Sequence, residues 1–308
     1  MAFVYKADPK RAAVWQDLFA RRAPDLTFRV WPDVGDAKEV RFLAAWLPPD
    51  NLASALPNLE ILFSTGAGVD QLNLAQIPEH VKIVRMIEPA LVATMAEFVA
   101  FAVMALHRDI PLYLNQQRER VWLEHRVRAA GASRVGVMGL GLLGIAAARR
   151  VQQLGFDCAA WNRSRRDVAG VHCYAGEEEL HAFLARTDIL VCLLPLTDST
   201  RGILNARVFD ALPEGAAVIN VGRGDHLVEN DLLAALDSGR LRAAILDVCK
   251  TEPPARNHPF WGHPRIWLTP HVASTTQPES GALAVLANLR RHQQGEPMEG
   301  LVDRARGY

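Results

Sequence analysis

Short apolar runs alternate with amphipathic stretches along almost the whole chain. The runs have the length and composition of buried strands, and the stretches between them have the apolar spacing of helices. This alternation predicts an α/β protein with mostly parallel, doubly wound sheets. The predicted strands are Phe3–Tyr5, Leu26–Val30, Val40–Trp46, Leu59–Phe63, Val81–Val84, Val135–Met138, Phe156–Trp161, Asp188–Leu194, Ala216–Val221, Leu241–Val248 and Arg265–Leu268. The predicted helices are Arg11–Arg22, Pro89–His107, Leu112–Arg128, Ile145–Leu154, Glu177–Arg186, Glu229–Ser238 and Glu279–Arg291.

One stretch differs from the others in being apolar on almost every side. Pro89–His107 is expected to be buried and to bridge two domains, and Asp109-Ile110-Pro111 ends it. The apolar run noted within it, Phe98–Leu106, is too short to span a bilayer. The first residues lack the basic and apolar regions of a signal peptide. These features predict a soluble, cytoplasmic protein.

A glycine-rich turn lies between a predicted strand and a predicted helix. Gly139, Gly141 and Gly144 follow the strand at G-x-G-x-x-G spacing. In such a βαβ unit the first glycine permits the turn, the second lets a pyrophosphate approach the backbone, and the third lets the helix pack on the sheet. The N–H groups at the start of the helix then face the phosphates. The stretch therefore predicts a dinucleotide-binding domain.

The length of the chain favours two domains rather than one. The 308 residues are expected to form a Rossmann-type nucleotide domain, 101–274, inserted in a smaller flavodoxin-like substrate domain made of 1–100 and 275–308. In open parallel sheets, ligands bind beyond the carboxyl ends of the strands. The cleft between the domains is thus the expected active site.

The amino-acid composition argues against nucleic-acid-binding, membrane-binding and metal-binding functions. The 34 Lys and Arg balance the 34 Asp and Glu, which gives no support for a nucleic-acid or membrane partner. The four cysteines lack the spacing of a metal site, and three lie in or beside apolar runs. They are expected to be small buried hydrophobic residues in a reducing compartment, with no metal bound.

Three polar residues lie at or just past the ends of predicted strands. They are Arg223, Glu252 and His271. Arginine can pair with a substrate carboxylate through its planar fork, histidine can donate a proton near neutral pH, and a carboxylate beside it favours the imidazolium. Together they suit hydride transfer to a 2-oxo acid. Taken singly, Arg223 could be a solvated loop cation, Glu252 a surface-turn residue and His271 a structural histidine.

The end of the second strand of the βαβ unit indicates which cofactor is bound. An NAD-binding unit carries an acid there for the ribose 2′-hydroxyl. This chain has Asn162, Arg163 and Ser164, and the first acid is Asp167. Arg163 is the first candidate for binding a 2′-phosphate, with Asn162 and Ser164 as hydrogen-bonding groups. The alternative is a solvated basic turn. The pattern predicts NADP, with NADPH preferred over NADH.

The motifs in order resemble those of the D-isomer-specific 2-hydroxyacid dehydrogenase family. Beyond the glycine turn, the segments that carry the resemblance are Ser64–Asp70, Asn220–Gly224, Leu246–Pro253, Pro259–Trp261 and Leu268–Ala273. The resemblance implies a catalytic set of Arg223, Glu252 and His271, a substrate carboxylate held by the backbone N–H groups of Ala67 and Gly68, and a homodimer. The candidate cofactor-binding residues are Gly139, Gly141, Leu142, Leu143, Gly144, Asn162, Arg163, Ser164, Pro195, Val221 and Asp247.

Within that family, three segments resemble the glyoxylate/hydroxypyruvate reductase A branch. They are Ala44–Pro49, Gln116–His125 and Val302–Tyr308. The resemblance places Trp46 over a small substrate, although it could be a domain-core aromatic residue. Trp122 is a weaker candidate for the same wall, since it could instead pack in a dimer interface.

The expected function is NADPH-dependent reduction of glyoxylate or hydroxypyruvate to glycolate or D-glycerate, with a histidine as the acid. One alternative is another D-2-hydroxyacid dehydrogenase, of the phosphoglycerate type or with a pocket for a larger 2-oxo acid. The other is a nucleotide-sensing, corepressor-like binding protein. The intact Arg223, Glu252 and His271 set weighs against a binding-only protein.

Overall fold

The computed structural model describes residues 1–308 and divides them into two compact units. Unit 1 consists of 1–91 and 275–308, and unit 2 consists of 92–274. The division falls near the start of the long helix Pro89–His107, whereas the sequence pattern places it after residue 100. Each unit contains its own parallel sheet. The predicted fold class, two doubly wound α/β domains, is confirmed.

Unit 1 is built on a five-stranded sheet. Its strands are β1 (Ala2–Lys6), β2 (Thr27–Val30), β3 (Val40–Ala45), β4 (Ile61–Ser64) and β5 (Lys82–Val84). Its α-helices are α1 (Pro9–Arg22), α2 (Leu52–Ala55) and α9 (Pro278–Gln293). The strands pair in the order β2-β1-β3-β4-β5, all parallel, which is the flavodoxin-like order.

An aromatic cluster forms the core on one side of this sheet. Phe3 and Tyr5 lie on the same face of β1. The ring centroid of Phe3 lies 4.5 Å from that of Phe19 in α1, and the ring centroid of Tyr5 lies 4.9 Å from that of Trp15 in the same helix. Helix α1 begins cleanly because the Asp8 side chain accepts the N–H of Lys10 at 3.0 Å, which caps the helix. Helix α1 in turn packs against α9.

Unit 2 is built on a seven-stranded sheet in the order β12-β11-β10-β9-β6-β7-β8. Its strands are β6 (Arg134–Met138), β7 (Asp157–Asn162), β8 (His172–Ala175), β9 (Ile189–Cys192), β10 (Ala216–Asn220), β11 (Leu241–Leu246) and β12 (Ile266–Leu268). Its α-helices are α3 (Pro89–His107), α4 (Ile110–Glu119), α5 (Leu142–Gln153), α6 (Gly176–Ala185), α7 (Ala206–Ala211) and α8 (Glu229–Asp237). All neighbouring strands are parallel.

Helix α3 is only partly buried, contrary to the expectation from its apolar surface. Val99, Ala102 and Val103 are fully buried in the core of unit 2, whereas Phe101 is 52% exposed. By length and composition alone α3 could cross a membrane. The prediction from the sequence used only the run Phe98–Leu106, which is shorter than the apolar length of the whole helix. The buried side chains of α3 belong to the core of unit 2.

The predicted helix Leu112–Arg128 is wrong in its second half. Helix α4 ends at Glu119, because Arg120 adopts a left-handed conformation with φ 59° and turns the chain out of the helix. The N–H of Val121 still reaches the carbonyl of Gln116 at 2.8 Å. The following residues form no regular structure, and the Trp122 side chain is fully exposed.

Candidate active site

Six loops of unit 2 leave the sheet at one edge. The parallel pairing of β6, β7, β9, β10, β11 and β12 places all their carboxyl ends on the same side. From β6 the chain first adds β7 and β8 on one side and then adds β9 to β12 on the other side. The direction in which strands are added therefore reverses between β6 and β9. Ligands of open α/β sheets bind at such a reversal. The loops that carry the candidate residues of unit 2 begin at this edge.

The glycine turn has the backbone geometry that its spacing predicts. Gly139 has φ 103°, and a Cβ there would lie 2.7 Å from the Leu193 carbonyl oxygen. A Cβ on Gly144 would lie 1.8 Å from the carbonyl oxygen of Gly139, so this glycine lets α5 pack closely on the end of β6. A Cβ on Gly141, in contrast, would meet nothing within 4 Å. The open side of the turn is therefore at Gly141.

Helix α5 begins directly at this open side. Gly141 is its N-cap, and the first turn contains Leu142, Leu143 and Gly144. Backbone N–H groups at the first positions of a helix have no intrahelical acceptor and favour anions. Leu142 is 45% exposed. The turn thus presents N–H donors and an accessible backbone, which fits a pyrophosphate.

The end of β7 carries polar and basic groups beside the same turn. The Asn162 side chain accepts the N–H of Leu140 at 3.3 Å and donates to the carbonyl of Ser164 at 2.9 Å. Arg163 and Ser164 are exposed. Two further arginines follow in this segment, where Arg165 pairs with Glu179 and Arg166 donates to the Leu140 carbonyl.

Two further candidate cofactor residues lie at the ends of the next strands. Pro195 follows β9, and its carbonyl oxygen accepts the Thr200 hydroxyl at 2.7 Å. Val221 follows β10, is 4% exposed, and donates its N–H to the Cys192 carbonyl at 3.3 Å. Both residues lie on the side of the reversal that leads towards β12.

The loop after β10 places Arg223 at the edge of the sheet. The buried Asn220 side chain accepts the N–H of Gly222 at 3.2 Å and donates to the Arg223 carbonyl at 2.9 Å. The Arg223 guanidinium is partly exposed and donates to the Gly222 carbonyl at 2.8 Å. The backbone of this loop is thus fixed by a side chain of its own strand.

Glu252 and His271 are brought together by the next two strands. Nδ1 of His271 lies 2.7 Å from one carboxylate oxygen of Glu252, and both side chains are more than a third exposed. The other carboxylate oxygen accepts the N–H of Cys249 at 3.1 Å. With Nδ1 engaged by the carboxylate, Nε2 is the ring nitrogen that can exchange a proton with a ligand.

Asp247 anchors the loop that carries His271. Its carboxylate is 1% exposed and accepts the N–H groups of Val272 and Ala273, at 2.9 and 2.8 Å, and the Thr269 hydroxyl at 2.6 Å. The carbonyl of Asp247 accepts the N–H of His271 itself at 2.8 Å. His271 is held in a left-handed conformation, with φ 55°. The sequence pattern assigned Asp247 to the cofactor, and this anchoring function was not predicted.

The cysteine beside this pair is not poised as a nucleophile. Burial, together with the nearby carboxylates of Glu229 and Glu252, raises the pKa of the Cys249 thiol to about 11. Burial also raises the pKa values of Cys158 and Cys192, each to about 12. Because the thiolate is the reactive form, these three residues behave as the small buried side chains that the sequence predicts.

The candidate substrate residues of unit 1 surround the loop that follows β4. The buried Ser64 hydroxyl donates to the carbonyls of Gly66 and Gly68, at 3.2 and 3.0 Å. The ring of Trp46 fills the space that a side chain would need at Gly66, since a Cβ there would lie 2.6 Å from Cζ3. Ala67 and Gly68 are half-buried, and Trp46 is 40% exposed. Trp46 is therefore a partly accessible residue against this loop rather than a core aromatic.

A family model for the NAD-binding domain of D-isomer specific 2-hydroxyacid dehydrogenases matches residues 100–273, more than half of the chain. The chain belongs to the D-isomer specific 2-hydroxyacid dehydrogenases. As a member it is a nicotinamide-dependent oxidoreductase. This confirms the resemblance read from the motifs.

Relatives along the full length agree with this family. A protein named glyoxylate/hydroxypyruvate reductase A from Yersinia enterocolitica is 36% identical over 303 residues, 96% of each chain. A D-isomer specific 2-hydroxyacid dehydrogenase from Xanthobacter autotrophicus Py2, solved with NADPH and MES, has a TM-score of 0.95 and 39% identity, covering 100% of this chain and 99% of that one. An NADPH-dependent glyoxylate/hydroxypyruvate reductase from Sinorhizobium meliloti, solved with NADP and sulfate, has a TM-score of 0.92 and 34% identity, with the same coverage.

The glycines of this dehydrogenase offer a matched pair of substitutions. We expect Gly144→Ala to lower the stability of unit 2 by about 1–3 kcal/mol, because backbone atoms must shift to admit the methyl group. Gly141→Ala should leave the melting temperature nearly unchanged and weaken NADPH binding, because the methyl group enters open space on the phosphate side. Thermal denaturation and fluorescence titration measure the two effects. Unchanged NADPH affinity in Gly141→Ala would contradict the assignment of the turn to the cofactor.

Proposed function

We propose that the chain catalyses the NADPH-dependent reduction of glyoxylate and hydroxypyruvate to glycolate and D-glycerate. The observation that carries this proposal is the 2.7 Å pair of His271 and Glu252, at the strand edge from which the Arg223 loop also leaves. A histidine held by a carboxylate is a proton donor for a carbonyl oxygen, and a nearby arginine suits the carboxylate of a 2-oxo acid. Full-length relatives carry the corresponding reductase name.

In this proposal His271 acts as the acid. Glu252 accepts a hydrogen bond from Nδ1, keeps the ring oriented and stabilises its protonated form. The proton on Nε2 passes to the carbonyl oxygen of the substrate as the alcohol forms. When bound, NADPH supplies the hydride for the carbonyl carbon. The Asp247 carboxylate holds the Thr269 hydroxyl before His271 and the backbone N–H groups of Val272 and Ala273 after it, so the ring is positioned before substrate arrives.

The substrate carboxylate is assigned to arginine and backbone donors. Arg223 offers a planar fork of N–H groups, which matches a carboxylate in a way that lysine cannot. In unit 1, we assign the N–H groups of Ala67 and Gly68 to carboxylate binding, and Trp46 to limiting the size of the bound molecule. The position of Trp46 against Gly66 supports a preference for small 2-oxo acids.

We expect His271→Ala to lower kcat by about 10²–10⁴-fold, because the proton donor is lost. NADPH affinity should survive, since the glycine turn is untouched. Glu252→Gln should give a smaller loss of kcat, because the ring keeps a hydrogen-bonding neighbour without its charge. His181→Ala, on an exposed position of α6, is the matched control and should keep wild-type kcat. Steady-state kinetics with glyoxylate test these expectations, and near-wild-type turnover of His271→Ala would refute the assignment.

NADPH is assigned to the glycine turn and the end of β7. The open space at Gly141, the N–H groups of Leu142, Leu143 and Gly144, and the lack of a carboxylate from Asn162 to Arg166 all fit a cofactor with a 2′-phosphate. Arg163 is assigned to that phosphate, with Asn162 and Ser164 beside it, and Pro195, Val221 and Asp247 to the remaining cofactor contacts. Solved relatives with NADPH or NADP support the assignment.

We expect kcat/KM with NADPH to exceed that with NADH by at least about tenfold, which is the worth of one charge-assisted hydrogen bond. Arg163→Ala should shrink this ratio, mainly by raising the KM for NADPH. Arg207→Ala, an exposed arginine of α7, is the control and should leave the ratio unchanged. Equal wild-type efficiency with both cofactors would contradict the assignment of Arg163, without affecting that of His271.

We also propose that the chain is a cytoplasmic homodimer, as the family resemblance implies. Large apolar side chains are exposed on neighbouring parts of the chain in unit 2, which a second copy would cover. They are Phe101, Ile110, Leu112, Leu114, Val121, Trp122 and Leu123. The four cysteines are free thiols, as is usual in a reducing compartment.

We expect light scattering to give twice the chain mass of 34.0 kDa in solution. The double substitution of Phe101 and Trp122 by Glu should shift the population towards monomer, because charge would be buried without a partner. Leu283→Glu, at an exposed apolar position of unit 1, is the control and should leave the mass unchanged. A wild-type monomer at micromolar concentration would rule out the dimer.

A further inference from the structure

Unit 2 contains a histidine that the proposed reaction does not use. His226 ends the short 3-10 turn Gly224–His226 after β10, and it is fully buried. Its Nδ1 lies 3.0 Å from the backbone nitrogen of Arg223, and its Nε2 lies 3.3 Å from the carbonyl oxygen of Pro195. One buried imidazole thus bridges the candidate substrate-binding arginine and a segment assigned to the cofactor.

The two partners determine the protonation of this imidazole. A backbone N–H can only donate, so Nδ1 must carry a lone pair towards Arg223. A backbone carbonyl can only accept, so Nε2 must carry the hydrogen towards Pro195. His226 is therefore neutral, with its hydrogen on Nε2. It cannot serve as a proton donor to substrate without giving up one of these bonds.

The ring is also closely packed against the loop that it holds. A Cβ on Gly222 would lie 2.8 Å from Nδ1 and 3.0 Å from Cε1 of His226, so no other residue type fits there without displacing the ring. A Cβ on Gly224 would lie 2.0 Å from the carbonyl carbon of Cys249, where the next loop begins. The Cys249 N–H in turn donates to Glu252. The loop that carries Arg223 is therefore packed between the His226 ring and the backbone that leads to Glu252.

We propose that His226 is a positioning residue for Arg223: its neutral imidazole fixes the Arg223 backbone, and through it the direction of the guanidinium that binds the substrate carboxylate. This inference deepens the proposed function and rests on it. The Pro195 side of the bridge matters less, because that carbonyl also accepts the Thr200 hydroxyl at 2.7 Å. The functional contact of His226 is its acceptor on Nδ1.

Two amide variants separate the two halves of the imidazole. In His226→Asn the side-chain oxygen can replace Nδ1 as the acceptor for Arg223, and in His226→Gln the longer side chain can replace Nε2 as the donor to Pro195. His226→Phe keeps a ring and removes both polar atoms. We expect the KM for glyoxylate to rise about tenfold in the Gln and Phe variants, from the loss of one buried hydrogen bond, and to stay within about threefold of wild type in the Asn variant. NADPH affinity should change little in all three.

A double-mutant cycle with Arg223→Lys distinguishes positioning from a general loss of stability. If His226 acts through the Arg223 side chain, adding His226→Phe to Arg223→Lys should cause almost no further rise in KM, since residues that act as one unit are not additive. Each variant is first checked by thermal denaturation, and His181→Ala again serves as the surface control. If the Phe variant does not fold, the KM values of folded Asn and Gln variants still decide the test.

The outcomes are distinct. Wild-type protein that reduces no 2-oxo acid with NADPH would overturn the proposed function itself. If the wild-type protein is active, three results would overturn the positioning role of His226 alone. They are an unchanged KM in His226→Phe, additive losses in the double-mutant cycle, and a near-wild-type KM in His226→Gln but not in His226→Asn. Rescue by Asn together with a non-additive cycle supports it.

Discussion

Two parallel strands cannot be joined by a tight turn. In the seven-stranded sheet the chain must therefore cross back over the sheet after each strand before the next strand begins. All carboxyl ends then share one edge, and residues far apart in the chain begin their loops there. Gly139, Arg223, Glu252 and His271 follow four different strands of unit 2. The chemistry of the site depends on this constraint, because no local segment of the chain carries more than a fraction of the groups.

Sharing an edge does not by itself orient side chains. In unit 2 the loops that carry the exposed candidate residues are held in place by buried polar side chains. Asn220 holds the backbone before Arg223, His226 holds Arg223 itself, and Asp247 holds the loop of His271. Burying a carboxylate or an amide costs free energy unless its hydrogen bonds are satisfied. Each of these groups has donors or acceptors in the adjacent loop, so the cost of burial is offset only when that loop is in place.

The sequence predicted the elements whose pattern is local. The glycine spacing located the turn from β6 into α5, and strand ends indicated Arg223, Glu252 and His271. Where tertiary contacts decide, prediction was less accurate. The charged stretch after Glu119 has helix-forming residues, but the left-handed Arg120 ends α4 and nothing in the composition marks it. Strand β8 was missed because it is a four-residue edge strand in which His172 is exposed and no side chain is fully buried. His226 gave no signal, since its importance lies in two backbone partners brought to it by the fold.

The backbone of His271 has a consequence for how this protein can change over evolution. A side chain in the left-handed region costs roughly 1–3 kcal/mol, a cost that glycine avoids and asparagine reduces. The residue proposed to transfer the proton is thus not the residue that this backbone prefers. Selection for thermal stability alone would favour replacing His271, so heat resistance and activity compete at this position. A lineage that lost the need for turnover would be expected to lose this histidine early and become more stable for it.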